Sequence, residues 1–131
     1  INSPGGDVSA SIGIADAMRG LQSPVYTLGI GMAASAGGFL LNMGEPGHRY
    51  LTPNTEVMLH QPRGGSLLTE ASLAFNRWSR DRLHETVASI TGRSLNEVDR
   101  LLQEDCYLSA EEAVNFGIAD VVLEEHDWRG N

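Results

Sequence analysis

The stretch from Val25 to Gly38 constrains this chain more than any other part of it. Val25-Tyr26-Thr27-Leu28-Gly29-Ile30 is a short, nearly continuous apolar and β-forming run, the pattern of a strand covered on both faces. It passes directly into Gly31-Met32-Ala33-Ala34-Ser35-Ala36-Gly37-Gly38, where only Met32 is bulkier than serine, and then into Phe39-Leu40-Leu41, a second short helix. A strand buried on both sides requires layers above and below it, which favours a layered α/β domain.

The rest of the chain alternates in the same sense. Ser3-Pro4-Gly5-Gly6 is a loop, Asp7 is placed to cap a helix, and Ile12, Ile14, Ala15, Met18 and Leu21 recur at helical spacing, so a helix is predicted from Val8 to about Leu21. Gly44-Glu45-Pro46-Gly47 is a turn, strands are predicted at Arg49 to Leu51 and Thr55 to Leu59, and Gln61-Pro62-Arg63-Gly64-Gly65 is a loop. The longest periodic stretch runs from about Leu68 to Ile90, with Leu68, Ala71, Phe75, Trp78, Arg82 and Leu83 as its stripe and His84 on its polar side. Ser94-x-x-Glu97 and Ser109-x-x-Glu112 are capping boxes that announce two more helices, and Ile118 to Leu123 reads as a closing strand. The expectation is one α/β domain over residues 1–123 and a loose polar tail over 124–131. Ile1-Asn2-Ser3-Pro4 reads as the end of a strand entering a loop, without initiator Met or signal-peptide organisation, so the natural chain is expected to begin earlier.

Composition narrows the function classes. With 131 residues and 41% hydrophobic content there is material for one core and not two. A net charge of -8 argues against nucleic acid or an anionic membrane surface as partner, because both call for clustered Lys and Arg. Cys106 is the single cysteine, with no zinc-site spacing around it, which fits a reducing compartment. No apolar run approaches the roughly 18 residues of a membrane span.

Four groups of residues carry possible chemistry, each with an ordinary alternative. Ser35 follows a buried-type strand, sits among Ala and Gly and opens a helix, so it is either an exposed nucleophile at a positive helix end or a plain N-cap. It does not match the α/β-hydrolase elbow, which needs Gly two residues earlier where this chain has Ala33. Gly29-x-Gly31-x-x-Ala34 also matches the dinucleotide fingerprint, but the next strand ends in His60 and not in the acid that fingerprint requires. His60 stands at a strand end beside a Gly-rich loop, the setting of a general base, although a strand-end His is commonly structural. Asp105 is either an acid that orients an imidazole or an ordinary solvated neighbour of Glu104. Gly5 and Gly6 offer bare backbone N–H groups to a developing oxyanion, or simply form a strand-to-helix turn.

Taken together, the segments Ile1-Asn2-Ser3-Pro4-Gly5-Gly6, Gly31 to Gly37, Met58-Leu59-His60-Gln61-Pro62 with Gly64-Gly65, and Asp105-Cys106-Tyr107-Leu108-Ser109-Ala110 resemble, in order, the signature blocks of the Clp protease proteolytic subunit. The likeness runs over essentially the whole chain. It implies a serine endopeptidase in which Ser35 is the nucleophile, His60 the base and Asp105 the orienting acid, with the backbone N–H groups of Gly6 and Ala36 as oxyanion hole. It also implies a crotonase-like fold of repeated ββα units with a protruding handle helix, the N-terminal part being absent from this chain. By the same resemblance the assembly is a double ring of two heptamers, homomeric or mixed. Unfolded polypeptide would reach it from a AAA+ unfoldase of the ClpX, ClpA or ClpC type. ATP would be used by that partner, since no P-loop occurs here, and no cofactor or metal is expected in this chain. The implied location is the cytoplasm, or alternatively a chloroplast or mitochondrial matrix. Arg80, Asp81 and Arg82 are candidates for ring-to-ring contacts along the handle. The His60 to Asp105 interval is about one helical turn shorter than the family's, so a truncated handle with altered ring register is expected. Three rivals stand beside this reading: a crotonase-type acyl-CoA enzyme, a non-catalytic ring subunit, and a phage-type prohead peptidase working without an ATPase.

Overall fold

A computed structural model describes residues 1–63 and 69–124. Its helices are α1 (Val8–Gly20), α2 (Ala36–Asn42), α3 (Glu70–Thr91), α4 (Leu95–Leu102) and α5 (Ala110–Phe116). Its strands are β1 (Thr27–Gly29), β2 (Met32–Ala34), β3 (Arg49–Leu51), β4 (Glu56–Leu59), β5 (Cys106–Leu108) and β6 (Val121–Val122). The strands form two three-stranded sheets, one in the order β1-β3-β6 and the other β2-β4-β5. The repeat is visible in the chain order. β1 and β3 enter the first sheet as parallel neighbours, the chain crosses at once to the second sheet as β2 and β4, also parallel, and each pair is followed by a helix. This is the repeated ββα arrangement. The third passage differs, because β5 runs antiparallel to β4 and α5 intervenes before β6.

The crossings are short and locally determined. Between β3 and β4 the Thr55 hydroxyl bonds the Gly29 carbonyl at 2.9 Å and meets the Thr52 hydroxyl at 2.7 Å, which turns the chain and ties the sheets together. Leu41, Leu51, Val57, Val87, Val98, Leu102 and Ile118 are fully enclosed between the sheets and α2, α3, α4 and α5. Each such side chain contributes on the order of 1.5–3 kcal/mol by leaving water. A smaller cluster of Ala15, Phe39 and Met43 seats α1 on α2. Arg49, 5% exposed, is neutralised by Asp120, whose carboxylate also accepts from the backbone N–H groups of Gly47 and Arg49. Those bonds hold the Asp120 carboxyl below its ordinary pKa.

Several sequence expectations need correction. The strand expected over Val25–Ile30 is only Thr27–Gly29, and that over Ile118–Leu123 only Val121–Val122. β2 and β5 carry no local strand signal; they exist because β4 pairs with both. The Phe75 and Trp78 stripe of α3 does not face the core: the two rings are 47% and 50% exposed, and no residue from Glu70 to Trp78 is buried. That half of α3 is left uncovered, as a handle would be. The buried face begins at Ser79 and continues through His84, Val87 and Ala88. His84 is therefore not on a polar side but 6% exposed between α3 and α4, its Nδ1 3.3 Å from Asp99, because α4 covers that face. Burial lowers its pKa more than Asp99 raises it. The expected handle strand at Gly64-Gly65, the helix start at Leu68 and tail residues 125–131 lie outside the described residues.

Candidate active site

Strand register explains how residues far apart in sequence meet. β2 and β4 are parallel with Ala34 opposite Met58, so Ser35 and His60 leave the sheet at the same end. β4 and β5 are antiparallel with Leu59 opposite Cys106, so the next pair outward is His60 and Asp105. On the other side of β2, Ser3 bridges to Ala33, its N–H bonding the Met32 carbonyl and its carbonyl accepting from Ala34, each at 2.9 Å. The Ser3-Pro4-Gly5-Gly6 loop thus arrives at that same end.

Ser35 sits between β2 and α2 with φ 53° and ψ -117°, the only non-glycine residue at positive φ among the described residues. A side chain in such backbone costs on the order of 1–3 kcal/mol, so the surroundings must hold it. Two contacts do so. The Ser35 N–H donates to the Met58 carbonyl at 2.7 Å, and Phe39 N–H closes the first turn of α2 on the Ser35 carbonyl at 2.9 Å. Gly38 allows this packing, since a Cβ there would lie 2.9 Å from the Ala33 carbonyl oxygen. Although Ser35 occupies the N-cap position, its hydroxyl makes no capping bond. Instead Oγ lies 2.8 Å from His60 Nε2.

Gly5 (φ 109°) passes directly over the serine: a Cβ at that position would be 2.6 Å from Ser35 Cβ and 3.1 Å from Oγ. Gly6 follows, and with Ser35, Ala36 and His60 it lines a cleft. The floor and walls are largely apolar, from Ile12, Ala15, Phe39, Met43, Leu59, Leu83, Val87 and Leu102, while Asp16, Arg19 and Arg82 also line it. The Ser79 hydroxyl on this wall is buried and, among the described residues, has no partner. The N–H groups of Gly6 and Ala36 have no acceptor among the described residues, Ala36 because it is the first residue of α2.

Asp105 lies beside His60 without reaching it. Its Oδ1 stands 3.8 Å from His60 Nδ1 and is engaged by Arg63. Arg63 lies in the loop after β4, and nothing local in the sequence signals its contact with Asp105, which follows from β5 lying beside β4. Gln61 anchors the same loop, its N–H donating to the Leu102 carbonyl at 2.8 Å. The pKa of the neighbouring Cys106 thiol is raised, by burial first and by Glu112 second. Among the described residues no group of three or more His, Cys, Asp or Glu is arranged to hold a metal ion, and no helix is long and apolar enough to cross a membrane. In comparison with known proteins, a family model described as Clp protease matches residues 1–126.

Proposed function

Because this chain belongs to the Clp protease family of serine peptidases, we propose that it hydrolyses peptide bonds through Ser35, His60 and Asp105. The observation that supports this reading most is the 2.8 Å contact of Ser35 Oγ with His60 Nε2, made by a serine that forgoes capping its own helix. His60 takes the hydroxyl proton as Oγ attacks the peptide carbonyl carbon in the cleft. The resulting oxyanion is received by the backbone N–H groups of Gly6 and Ala36, each such donor being worth about 3–4 kcal/mol to the transition state. His60 then passes the proton to the leaving amine. Water, deprotonated by the same imidazole, releases the acyl group from Ser35. Asp105 orients the ring and stabilises its charged form.

The finer assignments are part of the same proposal. The chain works in a double ring, fed with unfolded polypeptide by a AAA+ unfoldase that carries the ATP chemistry, in the cytoplasm or an organelle matrix. No cofactor of its own is needed for the steps above. The exposed outer half of α3, with Phe75 stacked on Trp78 at 5.9 Å, fits a surface that another subunit covers. One observation favours a rival, the non-catalytic ring subunit: the open distance between His60 and Asp105. Intact mass after fluorophosphonate treatment of the full-length protein decides between them. A single adduct, lost in Ser35→Ala, is expected; no adduct in the assembled oligomer means a structural subunit.

A further inference from the structure

The polar side chains at the end of the second sheet do not form a closed relay. His60 Nδ1 is buried and, among the described residues, has no hydrogen-bond partner. Asp105 Oδ1 stands 3.8 Å away, beyond hydrogen-bond reach. That same oxygen is held by Arg63 Nη2. The side chains are 15% exposed for His60, 34% for Asp105 and 68% for Arg63, so one carboxylate lies between an enclosed imidazole and a solvated cation.

We propose that Arg63 is an inhibitory positioning residue: by holding Asp105 Oδ1 it keeps the carboxylate off His60 Nδ1, and the Ser35–His60 pair becomes fully competent for proton transfer when that ion pair opens. The inference rests on the catalytic reading given above. A carboxylate that accepts from Nδ1–H fixes the imidazole tautomer and stabilises the imidazolium formed as the serine loses its proton. A guanidinium on the same oxygen competes for its lone pairs and offsets part of its charge, which weakens both contributions. The opposing pull is the buried Nδ1, which loses free energy while it lacks a partner. Because the Arg63 contact is exposed, it is modest in strength and screened by salt, so the two arrangements are closely balanced. Arg63 lies in the loop after His60 and Asp105 at the start of β5, so a shift of that loop against β5 moves the balance. Asp16 and Arg19 of α1 and Arg82 of α3 line the cleft with His60 and are left intact in the test.

The test measures the rate of Ser35 labelling by a fluorophosphonate, with kcat and KM for a short fluorogenic peptide. The assembled full-length protein is compared as wild type, Arg63→Gln and Arg63→Lys at low and high salt. Arg63→Gln should label and turn over roughly two- to five-fold faster, the factor that corresponds to an exposed pair worth up to about 1 kcal/mol. The gain should fall in kcat and not KM, because Arg63 is not among the residues lining the cleft. Arg63→Lys keeps a cation without the planar fork and should fall between the two. Salt should raise the wild-type rate and leave Arg63→Gln unmoved. An Arg63→Gln variant no faster than wild type, a gain confined to KM, or Arg63→Lys equal to Arg63→Gln overturns the proposal. Absence of Ser35 labelling in wild type and Arg63→Gln alike would instead remove the catalytic reading beneath it.

Discussion

Replacing Gly5 by alanine perturbs the site at one atom. At φ 109° a residue with a Cβ is strained by on the order of 1–3 kcal/mol whatever space surrounds it. Space is also lacking, since the new methyl would stand 2.6 Å from Ser35 Cβ and 3.0 Å from the Ala34 carbonyl oxygen. Non-bonded carbons prefer about 3.5–4.0 Å, so the two segments must part by roughly 1 Å. Neither obstacle is the tip of a flexible side chain. Ser35 is pinned through its N–H to Met58, and the Ser3 segment is bonded to β2, so the strain falls between nucleophile and the Gly6 N–H. A misplacement of about 1 Å costs on the order of 100-fold in rate. Gly5→Ala should therefore remain folded, melt several degrees lower, and lose about two orders of magnitude in fluorophosphonate labelling and peptide turnover. Gly13→Ala is the matched control, an exposed position inside α1 with nothing within 4 Å of the new Cβ. It should gain about 0.4–1 kcal/mol from the stiffer unfolded chain and keep its activity. Wild-type labelling rate and melting temperature in Gly5→Ala would refute the reasoning.

Two further outcomes concern stability. Asp120→Ala strands the Arg49 guanidinium, whose side chain is 6% exposed, and should cost about 3 kcal/mol in a denaturant titration; that is the low end for a buried pair, as Asp120 stays 19% exposed. The folded-state pKa of Asp120 is depressed, so its contribution is complete above the unfolded value of about 3.9 and is lost as pH falls through the folded one. Asp120→Asn should flatten that acid limb, and an unchanged limb would exclude the pair as its source. His84 has the opposite chemistry: its folded pKa is lowered by burial, so protonation favours the unfolded chain. Stability from neutral His84 is full above about pH 6.5 and declines below it, and His84→Gln should reduce the fall in melting temperature between neutral pH and mildly acidic pH.

Sequence alone determined what depends on neighbours along the chain. The caps at Asp7, Ser94 and Ser109 were legible because a side chain and the backbone N–H that it meets are three residues apart and need no other part of the molecule. The alternation of strands and helices, and the ordered blocks around Ser35, His60 and Asp105 that resemble the Clp protease, were legible for the same reason. Tertiary structure decided everything that depends on pairing across the sheet. β2 and β5 are three-residue strands that flank β4, and their register is what brings Ser35, His60 and Asp105 to one end of the sheet. No local pattern separates a capping serine from one turned toward an imidazole; the φ of 53° and the Met58 bond do. His84 became a core residue only when α4 covered it, and Arg63 met Asp105 only when β5 lay beside β4. Side-chain periodicity reports which face a segment buries, whereas the partner on that face is set by long-range packing that the segment itself does not encode.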